Sequence, residues 1–247
     1  MDKFKIYYGE YNLKHWIKLI LRKDIILPSY QRNFVWSEEK VLKLMESLNN
    51  GLFIPPVTIG TYYDNGEKKH YIIDGQQRLS AILLSYLDRF PNKGFEQSIN
   101  TEFADENDDK DDKDDRDESI DIKNWKLTEI QNKSIKYKDK LGIQKKLQKP
   151  EYKELNAPNE YDEEFFDKHF IGFAYIKPNG NDEIAQKKYY SSLFRNINIS
   201  GERLTPVESR SSLYWLDSKI ENFFNPKMVQ NIKIDNNQID FARYLAF

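Results

Sequence analysis

Apolar positions in the first third of the chain follow two rhythms. Leu13, Trp16, Ile17, Ile20 and Leu21 recur at helical spacing, which predicts a helix with one buried face. "DIILP" follows as a short extended run closed by Pro28, since the residue before a proline is pushed out of the helical region. Ser37 is placed to cap a second helix, with Glu38 and Glu39 in its first turn, where negative charge meets the helix dipole favourably. Val41, Leu44, Met45 and Leu48 form its apolar side, and Gly51 its stop. "IPPVTIG" and "HYII" read as two strands separated by a turn at Asp64-Asn65-Gly66. Leu79, Ile82, Leu83, Tyr86, Leu87 and Phe90 then fall at i, i+3, i+4, i+7, i+8 and i+11 of another helix, one continuous stripe. The order helix, strand, helix, strand, strand, helix is an α+β layout.

From about Trp125 the pattern becomes mostly helical, with one strand-like run, "FIGFAYIK". Thr205-Pro206-Val207-Glu208 combines a threonine cap, a proline at the first helical position and a glutamate two residues on. A helix is expected to start there with Leu213, Leu216, Ile220 and Phe223 on its buried side, leaving 196–203 as a loop. Lysines crowd 133–149, interleaved with Ile and Leu. That pattern reads as a solvated amphipathic helix, or as a surface for nucleic-acid phosphates. The expected division is 1–100 as an N-terminal lobe, 101–122 as an insert and 123–247 as a helical lobe. Phe241, Tyr244 and Leu245 begin an apolar stripe that would ordinarily run on, so the chain is expected to be truncated, or one gene of a split pair.

Charge changes the picture of the insert. Residues 102–118 hold 11 acidic and 3 basic side chains; that local −8, set against −2 for the chain, leaves the remainder at +6. Such a run cannot bury enough apolar surface to offset its ordering entropy and reads as a solvated insert. Two alternatives are an acidic arm competing with nucleic acid for the basic body, and a loose hold on divalent cations. Replacing 104–118 by a short Gly/Ser linker is expected to move the melting temperature little, because the segment contributes almost no apolar burial. A collapse in stability would show that it is an ordered part of the fold.

With no Cys in 247 residues, a disulfide scaffold, a cysteine-ligated metal and a thiol nucleophile are excluded, and a reducing, cytoplasmic setting is expected. No stretch approaches the roughly 20 apolar residues of a membrane span. His15, His70 and His169 are too scattered for a nuclease metal centre.

Two polar clusters carry candidate chemistry. Asp74-Gly75-Gln76-Gln77-Arg78 joins a strand to a helix. In one reading Asp74 caps the helix and Gln77 completes a capping box. In the other, a helix N-terminus plus a guanidinium makes an anion site suited to phosphate. Gln76 or Gln77 would then orient a nucleotide or water, and Asp74 would either hold a divalent cation such as Mg2+ or fix Arg78. The second cluster, "LPSYQRNFVWS", sets Tyr30, Gln31, Arg32, Phe34 and Trp36 between a strand and a helix. Its aromatics are either core plugs or platforms for a base, with Arg32 on the phosphates. Two Q–R pairs, Gln31-Arg32 and Gln77-Arg78, each at a strand-to-helix joint, favour one shared cleft.

The series "YQRNFVW", "FIPPVTIG", "YIIDGQQRLSAI" and "RNINISGERLTPVE" resembles the family found in the N-terminal half of GmrSD-type modification-dependent restriction proteins. The resemblance implies a fold related to ParB and sulfiredoxin, and nucleoside triphosphate binding or hydrolysis within a phage-restriction system. Carried over, Gln31 and Arg32 match its QR motif and Asp74 to Arg78 its DGQQR motif. Tyr30, Gln31, Arg32, Gly75 and Arg78 are then the expected nucleotide contacts, Asp74, Gln76, Gln77 and Arg78 the catalytic set, and Asp74 the link to Mg2+. Trp36 is an additional candidate. Arg195, Asn196 and Asn198 match a helical-lobe motif. Expected partners are a nucleoside triphosphate, DNA, and an HNH-type nuclease domain or subunit, with no membrane; oligomeric state stays open.

Overall fold

A mixed sheet of four strands organises the molecule, and its strands come from both halves of the chain. β1 (Lys5–Asn12), β2 (Val57–Asp64), β3 (Glu67–Asp74) and a late strand, β6 (Phe170–Lys177), lie in the order β1-β6-β2-β3. β1 runs antiparallel to β6, β6 parallel to β2, and β2 antiparallel to β3. The computed structural model describes residues 4–31, 33–64, 67–92, 125–134, 140–147, 150–158, 161–180, 182–199, 206–224, 233–234 and 237–238. The acidic insert, Asn65 and Gly66 of the expected turn, and the C-terminal 239–247 lie outside these.

Helices α1 (Leu13–Leu21), α2 (Glu38–Asn49) and α3 (Gln76–Leu87) pack on one face of the sheet. Asn12 caps α1 and Ser37 caps α2, each side chain accepting from a backbone N–H three residues on. α1 buries Leu13, Trp16, Ile17 and Ile20, and α2 buries Val41, Leu44, Met45 and Leu48, as their spacing predicts. The short strand β4 (Phe90–Pro91) pairs with β5 (Tyr152–Lys153); α4 (Leu127–Ser134) and α6 (Glu163–Lys168) meet α1, and α5 (Lys140–Lys146) meets α3 and α4. Trp125, Leu127, Ile130, Ile143 and Phe166 of this stretch join the same core. The described residues of the lysine-rich 133–149 are the end of α4 and the stretch 140–147 that contains α5, with Ile143 and Leu147 buried.

The other face carries a second, aromatic core. Tyr190 and Phe194 of α7 (Glu183–Ile199) and Trp215, just beyond α8 (Pro206–Tyr214), pack on Tyr62, Tyr71, Ile73 and Ile176 of the sheet. α9 (Ser218–Phe224) and the hairpin of β7 (Lys233–Ile234) with β8 (Asn237–Gln238) follow. The fold is α+β.

Several expectations are corrected here. β6 sits between β1 and β2, so the sheet draws strands from both sides of the insert. "KIYYGEYN" does not alternate apolar with polar, so its spacing predicts no strand; it becomes β1 because β6 offers a ladder. α7 continues to Ile199, so 196–199 are helix rather than loop, as no breaker precedes Gly201. The expected stripe after Pro206 fails: Leu213, Ile220 and Phe223 are 39%, 43% and 58% exposed. A break after Tyr214 resets the register, Asp217 accepts from the Lys219 N–H at 2.8 Å, and Trp215 takes the buried place.

Candidate functional site

The loop 28–36 straddles both cores. On the α7 side, the Tyr30 ring is 3% exposed, edge-on to Phe194 and tilted against Trp215, both with centroids 5.0 Å away. On the other side, Phe34 meets Trp125 edge-on at 5.5 Å, and its N–H donates to the Trp125 carbonyl at 2.8 Å. Gln31 lies between them, buried, and its Nε2 donates to the carbonyls of Ile72 (3.1 Å) and Ile73 (3.0 Å). A buried amide needs such partners, because an unmet donor keeps its full desolvation cost of ~1–3 kcal/mol. The loop is thus fastened to β3 immediately before Asp74.

The joint itself is not a capping box. Gly75, in the left-handed region at φ +94°, is the residue that caps α3, and no side chain bonds there. Asp74 ends β3, and its carboxylate accepts from Arg78 Nη2 at 2.7 Å. Gln77 reaches away from its own helix: Oε1 accepts from the Val35 N–H at 3.0 Å, and Nε2 donates to the Asn33 carbonyl at 2.9 Å. The physical reason is burial. α3 is covered on nearly every side, including Ser80, Ala81, Leu84 and Ser85, so the polar residues of its first turn must find partners on neighbouring segments.

Arg78 is fixed on two sides. Its Nη1 donates to the Pro55 carbonyl at 2.5 Å, and Nη2 approaches the Pro56 carbonyl at 3.5 Å as well as Asp74. Pro55 and Pro56 have no N–H to offer a ladder, so this segment stays outside the sheet and turns carbonyls to the guanidinium. The Arg78 side chain is 12% exposed and that of Asp74 33%. The pair therefore sits at the mouth of the joint, its cation oriented and its anion partly in water. Gln76 is 4% exposed.

The remaining candidates are distributed around this joint. Trp36 is half-buried, with Lys40 Nζ 4.9 Å from its ring centroid. Arg195 and Asn196 follow Phe194 on α7, half-buried and exposed respectively, and Arg195 Nε donates to the Ser191 carbonyl at 3.4 Å. Asn198 lies on the same helix. Through Phe194 and Tyr30 this segment reaches the loop 28–36. Arg32 lies outside the described residues. Among those described, no three His, Cys, Asp or Glu side chains gather as a metal site, and no helix is long and apolar enough to cross a membrane. Sequence reasoning missed Asn33, the Pro55 and Pro56 carbonyls and Trp125. Only the Pro-Pro pair left a readable signal, a proline pair directly before a strand.

Comparison with known proteins adds to this geometry. Residues 13–215 match the family model described as the GmrSD restriction endonuclease, N-terminal domain. A stretch is 30% identical over 104 residues to an uncharacterized protein of Methanocaldococcus jannaschii. It covers 33% of this chain and 18% of that protein. No solved structure matches the chain.

Proposed function

Because the chain belongs to the family of GmrSD restriction endonuclease N-terminal domains, we propose that it is the nucleotide-responsive part of a phage-defence restriction system. In this reading it binds a nucleoside triphosphate at the β3–α3 joint and hydrolyses it, and its occupancy licenses an HNH-type nuclease domain or subunit acting on DNA. One observation supports a shared cleft: Gln31 and Asn33, the neighbours of Arg32 on either side, are both tied to this joint. In this reading Arg32 shares the cleft with Arg78, although 46 positions separate the two.

Phosphoryl transfer asks mainly for positioned positive charge and an oriented water. Arg78, held by Asp74 and the Pro55 carbonyl, is a cation whose orientation is set before a ligand arrives; Arg32 is the second. Gln76 or Gln77 would place the water; both amide atoms of Gln77 are engaged with backbone. Mg2+ fits as an ion carried in by the phosphates, because Asp74 supplies one carboxylate and Mg2+ is commonly bound that way. When bound it would offset phosphate charge. Asp74 itself would orient Arg78 and keep the guanidinium from swinging into solvent. The engagement of Gln31 and Gln77 favours one alternative, a switch that binds nucleotide without cleaving it.

Thermal melts with each of four triphosphates, and phosphate release with and without magnesium, test this. At least one triphosphate is expected to raise the melting temperature, and Arg32→Ala to abolish the rise. Gln76→Ala should lower release more than binding. Arg78→Ala is expected to lose about 1.5–3 kcal/mol of stability even without ligand, the scale of hydrogen bonds to a charged group. Its nucleotide shift must therefore be read against its own melt. A shift without release assigns the binding switch; no shift with any triphosphate ends the nucleotide reading.

A further inference from the structure

A cavity of about 710 Å3 opens on the α1 side of the sheet, within the usual size range of small-molecule pockets. Its floor is aromatic. Tyr7 on β1 is 49% exposed, and beside it stands Tyr175 on β6, centroids 6.3 Å apart. The Phe173 ring lies across Gly9: a Cβ there would come 2.6 Å from Cζ, so glycine is what lets the ring lie flat and stack on Tyr11 at 4.7 Å.

The cavity also has a fixed polar wall. Thr61 Oγ1 donates to Tyr175 Oη at 2.5 Å, and that oxygen lies 3.3 Å from His70 Nδ1. Burial and the neighbouring Lys68 hold the His70 imidazole below its usual range, against the pull of Asp24, so at neutral pH the ring is an uncharged hydrogen-bonding group.

The rim is cationic, with Lys23, Lys68 and Lys69 set against Asp24. Lys23 occupies a position that suits glycine. After α1 the Asp24 N–H donates to the Leu19 carbonyl and the Lys23 N–H to the Ile20 carbonyl, a Schellman ending. Lys23 stands at its left-handed residue, φ +60°, where a side chain costs stability that glycine would not. A cation is kept at the rim in spite of that cost.

We propose that this groove binds an unstacked nucleobase together with its phosphate, the base on Tyr7, Phe173 and Tyr175 and the phosphate on the lysine rim. Aromatic floors that accept any base face, joined to lysines that follow the backbone, are how single strands are held. The shared chemistry admits a free mononucleotide or a nucleotide of a DNA strand. The site is distinct from the β3–α3 joint: none of Gln31, Asp74, Gln76 or Arg78 lines it, and the inference does not rest on triphosphate binding.

Fluorescence anisotropy with a labelled ten-nucleotide single strand, and calorimetry with a deoxynucleoside monophosphate, provide the test on the full chain. Tyr7→Ala is expected to weaken binding fivefold or more, the lower end of base–aromatic stacking. Tyr8→Ala should leave it unchanged, since Tyr8 is 76% exposed on the opposite face of β1. Lys68→Ala should flatten the salt dependence. Lys23→Gly should melt at or above the wild-type temperature while binding more weakly, which a purely structural role cannot produce. Both probes bound and both lost in Tyr7→Ala, with the strand the tighter, assigns the groove to DNA; the monophosphate alone bound and lost assigns it to free nucleotide. Binding of neither probe, or equal losses in Tyr7→Ala and Tyr8→Ala, would overturn the proposal. So would binding that Arg32→Ala removes and Tyr7→Ala leaves intact.

Discussion

Tyr30→Ala is expected to destabilise the protein by about 3–5 kcal/mol, the cost of truncating a buried aromatic side chain. Its ring is 3% exposed and joins Phe194 and Trp215 to the sheet residues Tyr62 and Tyr71. Removing it opens a cavity where α7 meets the sheet, and the loop 28–36 loses one of its two core anchors. The companion Tyr30→Phe should cost little or even stabilise. The phenol oxygen is buried with no hydrogen-bond partner among the described residues, and burial pushes its pKa well above the usual range. Deleting an unmet polar atom relieves a desolvation cost. Chemical denaturation of both variants checks this. An alanine variant that unfolds at the wild-type midpoint but loses nucleotide binding would instead make Tyr30 a base platform.

Gly75→Ala is expected to cost about 2–4 kcal/mol. The left-handed conformation at φ +94° penalises any side chain by ~1–2 kcal/mol. A Cβ would also come 2.9 Å from Val57 Cγ2 and 3.2 Å from Arg78 Nη2. Val57 is fully buried in β2 and has nowhere to retreat, so overpacking adds to the strain. For a chain of this size the melting temperature should fall by roughly 4–16 °C. Displacement of Arg78 from Asp74 should accompany the loss. In a double-mutant cycle, Val57→Ala should relieve part of the effect, with a coupling of ~0.5 kcal/mol or more. Additivity of the two substitutions would mean that strain alone, without the contact, explains the glycine.

Both predictions concern residues whose identity was readable and whose role was not. Tyr30 stood in the sequence as either a core plug or a stacking platform. Nothing local separates the two, because the rings that cover it, Phe194 and Trp215, lie more than 160 positions away. Asp74 and Gln77 read as a capping box by spacing, yet Gly75 caps the helix and both side chains point elsewhere. A cap motif is a preference worth about 0.5–2 kcal/mol, and the demand of buried amides and a guanidinium for partners outweighs it.

What the sequence by itself determined is local. The apolar stripes of α1 and α2, the cap at Ser37, the paired strands β2 and β3 and the start of α8 at Pro206 all rest on spacing and backbone preference within a few residues. Family membership was legible for the same reason, as short strings in a set order. The tertiary structure alone decided three things: that β6 enters between β1 and β2, that α3 is buried on nearly all sides, and which backbone atoms meet Gln31, Gln77 and Arg78. Strand order and hydrogen-bond pairing depend on segments brought together from about 20 to more than 150 positions apart. Their partners are chosen by what burial leaves unsatisfied, a quantity that does not exist until the chain has folded.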